Sequence, residues 1–577
     1  MTQVLGALCA TFALIVLVQH PFGTAESEIH VLTTNDVHGS WFSAEYDSPE
    51  HRNSLQCLNW YVDSIRNAAG ERNVILLDAG DCLQGDNASF YYNFVDTLSP
   101  HLFPRLAKYM RYDAVVVGNH DIETGPAVYD RVGRELERNG IPFLAGNALR
   151  ADGNPYFPEY TVLKKAGLKV LLLGYTNANM KSWLDESKLN GLEFRSLIPI
   201  VQERVDALTS KIKPDVVIVA AHCGTGLGDG QMLENQGLDL LNSLHGVDLL
   251  VCAHDHNPCV IRTGSCCLTN SGSRAANLGH AVIGISRKGR KVLSKQVSVS
   301  LIAADAGKVD VQMVDRFADD FIKVKEFSLR KVGKLECELR TSDAYCGMCD
   351  YLNFIHSVQL KASGAQISFA APLTFDGRVP AGDVVYNDLM TIYPYENSLY
   401  TITLSGKQIK DYLERSYDSW IGGSDGHVLN IVNRPDPRTG AENWSFVARS
   451  YNFDSAAGIV YEVWPENRRG ERVTILSMAD GSAFDPDSNY TVALTSYRAN
   501  GGGGLLEEGA GVSPAELETI VTGRYPDIRQ LVYEYFTDNT VLTPALMGEQ
   551  SLIGRWSFEP ASVRERMAAD NSLVFNQ

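Results

Sequence analysis

Positive charge is scarce in this sequence. It carries 51 Lys and Arg against 69 Asp and Glu, a net charge of −18, which disfavours non-specific binding to nucleic-acid polymers and anionic membrane surfaces. The same acidity repels small anions, so a phosphate site must create positive potential locally, as metal ions would. Long hydrophobic runs are also scarce. The one candidate, Val4 to Val18, is short for a bilayer span and precedes Gly23-Thr24-Ala25, a small-residue cleavage signature. Residues 1–25 are therefore expected to be a signal peptide, although no Lys or Arg precedes the apolar run. No later run could span a bilayer, and Ser572 to Gln577 offer no hydrophobic tail for a lipid anchor. The expected location is secreted, periplasmic or cell-surface; the oligomeric state is not legible.

Internal repeats are absent, and so is a P-loop, because no Lys-Ser/Thr follows the glycine run Asn500-Gly-Gly-Gly-Gly504. That run reads as a tight turn letting backbone approach a ligand. Of eleven cysteines, Cys9 would leave with the signal peptide; the remaining ten are compatible with disulfides in an oxidising compartment. Cys346-Gly-Met-Cys349 is a lone CxxC with no second pair or nearby histidines, so a structural or disulfide role is expected of it. Asn87-Ala-Ser, Asn443-Trp-Ser and Asn489-Tyr-Thr would accept glycans in a eukaryotic host.

What is present is an ordinary globular balance, 45% hydrophobic and 21% charged over 577 residues, enough for two to four domains. Apolar β-rich runs alternate with amphipathic stretches in the first half: Ile29 to Thr34, Val74 to Asp78, Ala114 to Gly118, Val170 to Gly174, Val216 to Ala221 and Asp248 to Cys252. This is an α/β layered pattern. Helix-compatible sequence from Val309 to Lys331 suggests one connecting helix, and an α+β domain follows. The expected boundaries are signal peptide 1–25, first domain 26–308, linker helix 309–334 and second domain 335–577.

The chemistry lies where those runs end, the edge at which α/β sheets assemble sites. Five of thirteen histidines, His38, His120, His222, His254 and His256, sit there with aspartates, asparagines and glycines. Imidazole, carboxylate and amide are ligands of borderline divalent cations, and a two-metal site needs a shared carboxylate.

Thr34-Asn35-Asp36-Val37-His38-Gly39, Gly80-Asp81, Gly118-Asn119-His120-Asp121, Ala221-His222 and His254-Asp255-His256 resemble, in order, the motifs of the calcineurin-like metallophosphoesterases, and more narrowly the secreted 5′-nucleotidase family. The resemblance implies a four-layer β-sandwich flanked by helices, linked by a helix to an α+β substrate-binding domain. It implies two divalent ions, zinc first, with manganese, magnesium, iron or cobalt as alternatives. One would be held by Asp36, His38, Asp81 and His256, the other by Asp81, Asn119, His222 and His254. Water activated by the pair would attack a phosphate in line, with His120 stabilising the phosphoryl group or protonating the leaving oxygen. The family's aspartate orienting this histidine is replaced by Glu123, with Asp121 as the alternative partner.

In the second half, Tyr393-Pro-Tyr-Glu-Asn397 and Ser496-Tyr-Arg-Ala-Asn-Gly501 resemble most a branch common in Bacteroidetes-type bacteria. Tyr395 and Tyr497 stand where that family stacks a base between two rings. The family's Asn-Gly-Gly-Gly-x-Arg reads Ala371-Pro-Leu-Thr-Phe-Asp376 here, losing the asparagine and arginine, and a later aspartate is Gly503. Arg378, Arg498 and Asn500 are the candidates to bind substrate in their stead. The expected activity is phosphate release from nucleoside 5′-monophosphates. Alternatives are a 2′,3′-cyclic nucleotide phosphodiesterase, a nucleotide-sugar or dinucleotide hydrolase on the same core, or a non-catalytic surface nucleotide-binding protein.

Overall fold

The computed structural model describes residues 24–264, 266–289, 291–422, 426–435, 440–548 and 555–575. Most of the expected signal peptide thus lies outside the described residues, while Thr24 and Ala25 begin the first strand.

Two six-stranded sheets form the first domain. One runs in the order Lys291–Ala303, Asn277–Lys288, Thr24–Thr34, Val74–Asp78, Ala114–Val116, Phe143–Leu144; the other runs Cys259–Thr263, Cys266–Asn270, Leu249–Val251, Val216–Ala221, Leu168–Tyr175, Tyr160–Lys165. Their central strands pair in parallel, Leu32 opposite Leu76 and Ile218 opposite both Leu172 and Leu249. Strands buried on both faces have no polar side to present, which is why they read as unbroken apolar runs. Alternate residues divide between two cores. Ile29, Val31, Ile75 and Leu77 meet Leu172, Ile218 and Val251 between the sheets. Leu32, Leu76 and Val115 point outward onto Leu58, Val62, Leu106 and Val132 of the covering helices, while Leu171, Val217 and Leu250 meet Val201 and Val205 on the far side. Helix, sheet, sheet and helix make the four layers.

The segment expected as one connecting helix is two, Val311–Arg316 and Ala318–Ser328, broken at Phe317. The Phe317 ring is buried beneath the Arg105 guanidinium, and Asp320 binds Arg105 and Tyr92, so the connection is packed onto the first domain.

The second domain is built on a five-stranded sheet in the order Ser455–Ala457, Ile367–Ala370, Asn489–Thr495, Ser398–Ser405, Val521–Asp527. Helix Gly406–Trp420, started by a capping box of Ser405 with Gln408, covers one face through Ile409, Leu413 and Tyr417. Helices Asp350–Ser363 and Ile528–Asp538 cover the other through Ile355, Val358, Val532 and Phe536. No helix among the described residues is long and apolar enough to cross a membrane.

Two expectations change here. All ten described cysteines are free thiols, so none of the expected disulfides is formed; Cys349 instead caps helix Asp350–Ser363 by accepting from the Leu352 amide. Asn87 is buried and bonded across the domains to Asn387 at 2.7 Å, which leaves no room for a glycan, whereas Asn443 and Asn489 are exposed.

Candidate metal centre and adjoining cleft

Because the central strands run parallel, the loops after Thr34, Asp78, Val116, Ala221 and Val251 meet at one edge of the sandwich. Asp36, His38, Asp81, His254 and His256 there all have left-handed backbone, with φ between +47° and +71°. For residues other than glycine this conformation costs about 1–2 kcal/mol each, and such outliers collect at functional sites. Two glycines make room: a Cβ on Gly118 would lie 2.0 Å from Asp81 Oδ1, and one on Gly80 would lie 2.6 Å from His222 Nδ1.

The expected ligands come together in two abutting groups. Ligand atoms of Asp36, His38 and His256 lie within 4.8 Å of one another, and so do those of Asp81, His222 and His254. His38 Nε2 is 3.0 Å from His256 Nε2, and Asn119 Oδ1 is 3.0 Å from His222 Nε2 and 2.9 Å from His254 Nδ1. Asp36 Oδ1 of the first group lies 4.0 Å from His222 Nε2 of the second. Asp81 falls in the second.

The surroundings orient these side chains. His222 Nδ1 faces the Ala79 carbonyl at 2.8 Å and His38 Nδ1 the Gln84 carbonyl at 3.1 Å, leaving both Nε2 atoms to the shared space. Asp121, the alternative partner for His120, is turned away. Its carboxylate accepts from the amides of Gly118, Asp81, Cys82 and Leu83 and ties two ligand loops together. Glu123 is the residue that bonds His120 Nδ1.

Burial pushes His38 down to about 3, a neutral imidazole ready to donate a lone pair. Against the same burial, Asp81 with its hydrogen bond raises His222 to about 10, and Asp81 with Glu123 raises His120 to about 9. Burial would neutralise Asp81, yet His222 and His120 hold its pKa well below the carboxylate range. Asp81 Oδ2 is buried and faces His222 Nε2 at 3.1 Å. Buried carboxylates converging on one space need positive charge there. The donor set fits divalent cations.

Beside this centre opens a cleft of about 1700 Å³, walled by both domains. Tyr395 and Tyr497 line it, as does Tyr451, which the sequence reading missed. The Tyr497 ring rests on Gly502, where a Cβ would come within 2.5 Å of it, with the Arg498 guanidinium 5.2 Å from the ring centroid.

The other three substrate candidates do not serve as expected. Arg498 is buried with its donors engaged by Asp454, Asn452, and the carbonyls of Tyr451 and Gly502. It braces the wall and has no free N–H for a phosphate. Arg378 pairs with Glu338 on the surface, away from the cleft lining. Asn500 donates to the Trp183 carbonyl at 3.3 Å, joining the domains. Arg274 and Arg449 supply positive charge to the lining instead. The segment that lost its family arginine contributes Ala371, Leu373, Thr374 and Phe375.

Comparison with known proteins agrees with this arrangement. Residues 29–258 match the family Calcineurin-like phosphoesterase and residues 331–508 match 5'-nucleotidase, C-terminal domain. The chain is 22% identical to the Trifunctional nucleotide phosphoesterase protein YfkN of Bacillus subtilis, over 94% of this chain and 40% of that protein, so it spans less than half of that relative's length. It is also 22% identical to the 2',3'-cyclic-nucleotide 2'-phosphodiesterase/3'-nucleotidase of Salmonella typhimurium, over 84% of this chain and 83% of that one. The fold matches a 5'-nucleotidase precursor from Thermus thermophilus with a TM-score of 0.62 at 19% identity, covering 92% of this chain and all of that one. A Staphylococcus aureus chain solved with alpha-ketoglutarate matches with a TM-score of 0.76 at 20% identity, covering 92% of this chain and 100% of that chain. The chain belongs to the calcineurin-like phosphoesterases that carry a 5′-nucleotidase C-terminal domain, and it is a metal-dependent phosphoester hydrolase.

Proposed function

We propose that this protein is a secreted phosphohydrolase that releases phosphate from nucleoside 5′-monophosphates. The observation carrying this reading is the shared cleft, with His38, Asn119, His120 and His254 on one wall and Tyr395, Tyr451 and Tyr497 on the other. Asp36, His38, Asp81 and His256 would hold one divalent ion, with zinc as the first expectation, and Asp81, Asn119, His222 and His254 the second, Asp81 bridging. Such a pair neutralises phosphate charge and lowers the pKa of water. Glu123 occupies His120 Nδ1, so Nε2 is the nitrogen left to donate a proton to the phosphoryl or leaving oxygen. The tyrosine faces would stack a base without specifying it, which predicts tolerance among bases.

A second reading draws on the arginine-free segment Ala371–Asp376 and on the Salmonella relative. The same core would then act on 2′,3′-cyclic or sugar-linked nucleotides. Hydrolysis by the purified protein of 5′-mono-, 3′-mono-, 2′,3′-cyclic and sugar-linked nucleotides, with the products separated by chromatography and each run with and without chelator, decides between them. Chelator-sensitive turnover highest on 5′-monophosphates is expected. Faster hydrolysis of cyclic or sugar-linked substrates would overturn the first reading, and chelator-resistant turnover would overturn the metal assignment.

A further inference from the structure

In a nucleotide the sugar lies between phosphate and base, so the group that reads it must stand between the metal centre and the aromatic wall. Glu234 does. One of its oxygens lies 4.0 Å from Nε2 of His254, whose Nδ1 faces Asn119, and Glu234 acts electrostatically on the phenols of both Tyr451 and Tyr497. Its side chain is 34% exposed and lines the cleft.

The loop bearing it is firmly built. The Glu234 carbonyl accepts from the Gly224 amide and from Asn177 Nδ2, each at 3.1 Å. Gly224 and Gly226 admit Asn235 so closely that a Cβ on either would lie 1.9 Å from one of its oxygens. One carboxylate oxygen accepts from Asn235 Nδ2 at 3.2 Å, while the other faces His254 Nε2 across 4.0 Å, wide enough to leave it room to accept from a ligand. A carboxylate only accepts, and vicinal sugar hydroxyls donate.

We infer that Glu234 is a specificity residue that accepts hydrogen bonds from the 2′- and 3′-hydroxyls of a ribonucleoside 5′-monophosphate seated in the cleft. This rests on the 5′-monophosphate reading.

The test is Glu234→Ala and Glu234→Gln, assayed on a ribonucleoside 5′-monophosphate, its 2′,3′-dideoxy counterpart and 4-nitrophenyl phosphate, with bound metal measured. Losing a hydrogen bond to a charged group should lower kcat/KM on the ribonucleotide by about 10- to 150-fold in Glu234→Ala, with Glu234→Gln intermediate. The dideoxynucleotide and 4-nitrophenyl phosphate should stay within about twofold, with metal content unchanged. Equal losses on all three substrates, with or without metal loss, would overturn the inference and make Glu234 a support for His254. Unchanged turnover on all three would overturn it as well. If the unaltered enzyme hydrolyses 4-nitrophenyl phosphate but no nucleotide, the nucleotide reading itself fails.

Discussion

The two walls of the cleft hold their side chains by different means. On the metal wall the backbone is bent into left-handed turns at five positions, and Asp121 and two carbonyls lock what the turns present. On the aromatic wall the backbone is unstrained at the tyrosines, and a ring is seated by contact, Tyr497 between Gly502 and Arg498. A metal ligand must supply a particular atom within tenths of an ångström, so residue type and backbone are both constrained. A stacking face needs only a plane, so its position along the chain can move while the site survives.

The largest break in this comparison should come from Asp81→Asn. Weakening the expected bridge should lower kcat by at least about 10³-fold and cut bound metal, both more than Asp36→Asn does, measured by turnover and elemental analysis. Near-normal turnover with two metals bound would refute the shared-ligand assignment. Next comes His120→Ala, with a loss in kcat of about 10²–10⁴-fold at unchanged metal content. Metal loss in that variant would make His120 a ligand. Tyr451→Ala and Tyr497→Ala should each lower kcat/KM on nucleotides by about 5- to 150-fold while sparing 4-nitrophenyl phosphate. Equal losses on both substrates would make the rings packing residues. Smallest is Arg378→Ala, expected within about twofold of the unaltered enzyme on nucleotides, since a surface ion pair contributes little. A larger loss would place Arg378 in the cleft after all.

The gathering of His and Asp side chains at one sheet edge was legible in the sequence because the pattern is rare in kind: His and Asp at the ends of apolar runs have few other reasons to recur in that order. Strands Val74–Asp78 and Val216–Ala221 were legible to the residue, being buried on both faces. The aromatic wall was less so. The chain has 25 tyrosines, and what sets Tyr451 apart from a core tyrosine such as Tyr412 is its place in the cleft lining, which local sequence does not encode. Arg498 misled for the same reason, because a guanidinium satisfied by Asp454 and one awaiting phosphate are identical in the sequence. Glu234 lay in a glycine-rich loop whose meaning depends on Asn177, far away in the chain.

The left-handed turns at Asp36 and Asp81 also bear on how such an enzyme decays over generations. Aspartate and glycine codons differ by one nucleotide, and glycine adopts this backbone without the penalty of about 1–2 kcal/mol. A duplicated gene freed from selection for catalysis therefore has single-step routes to a better-relaxed fold that has lost a ligand. Inactive descendants should accumulate glycine at these two positions, outwardly sound and chemically silent.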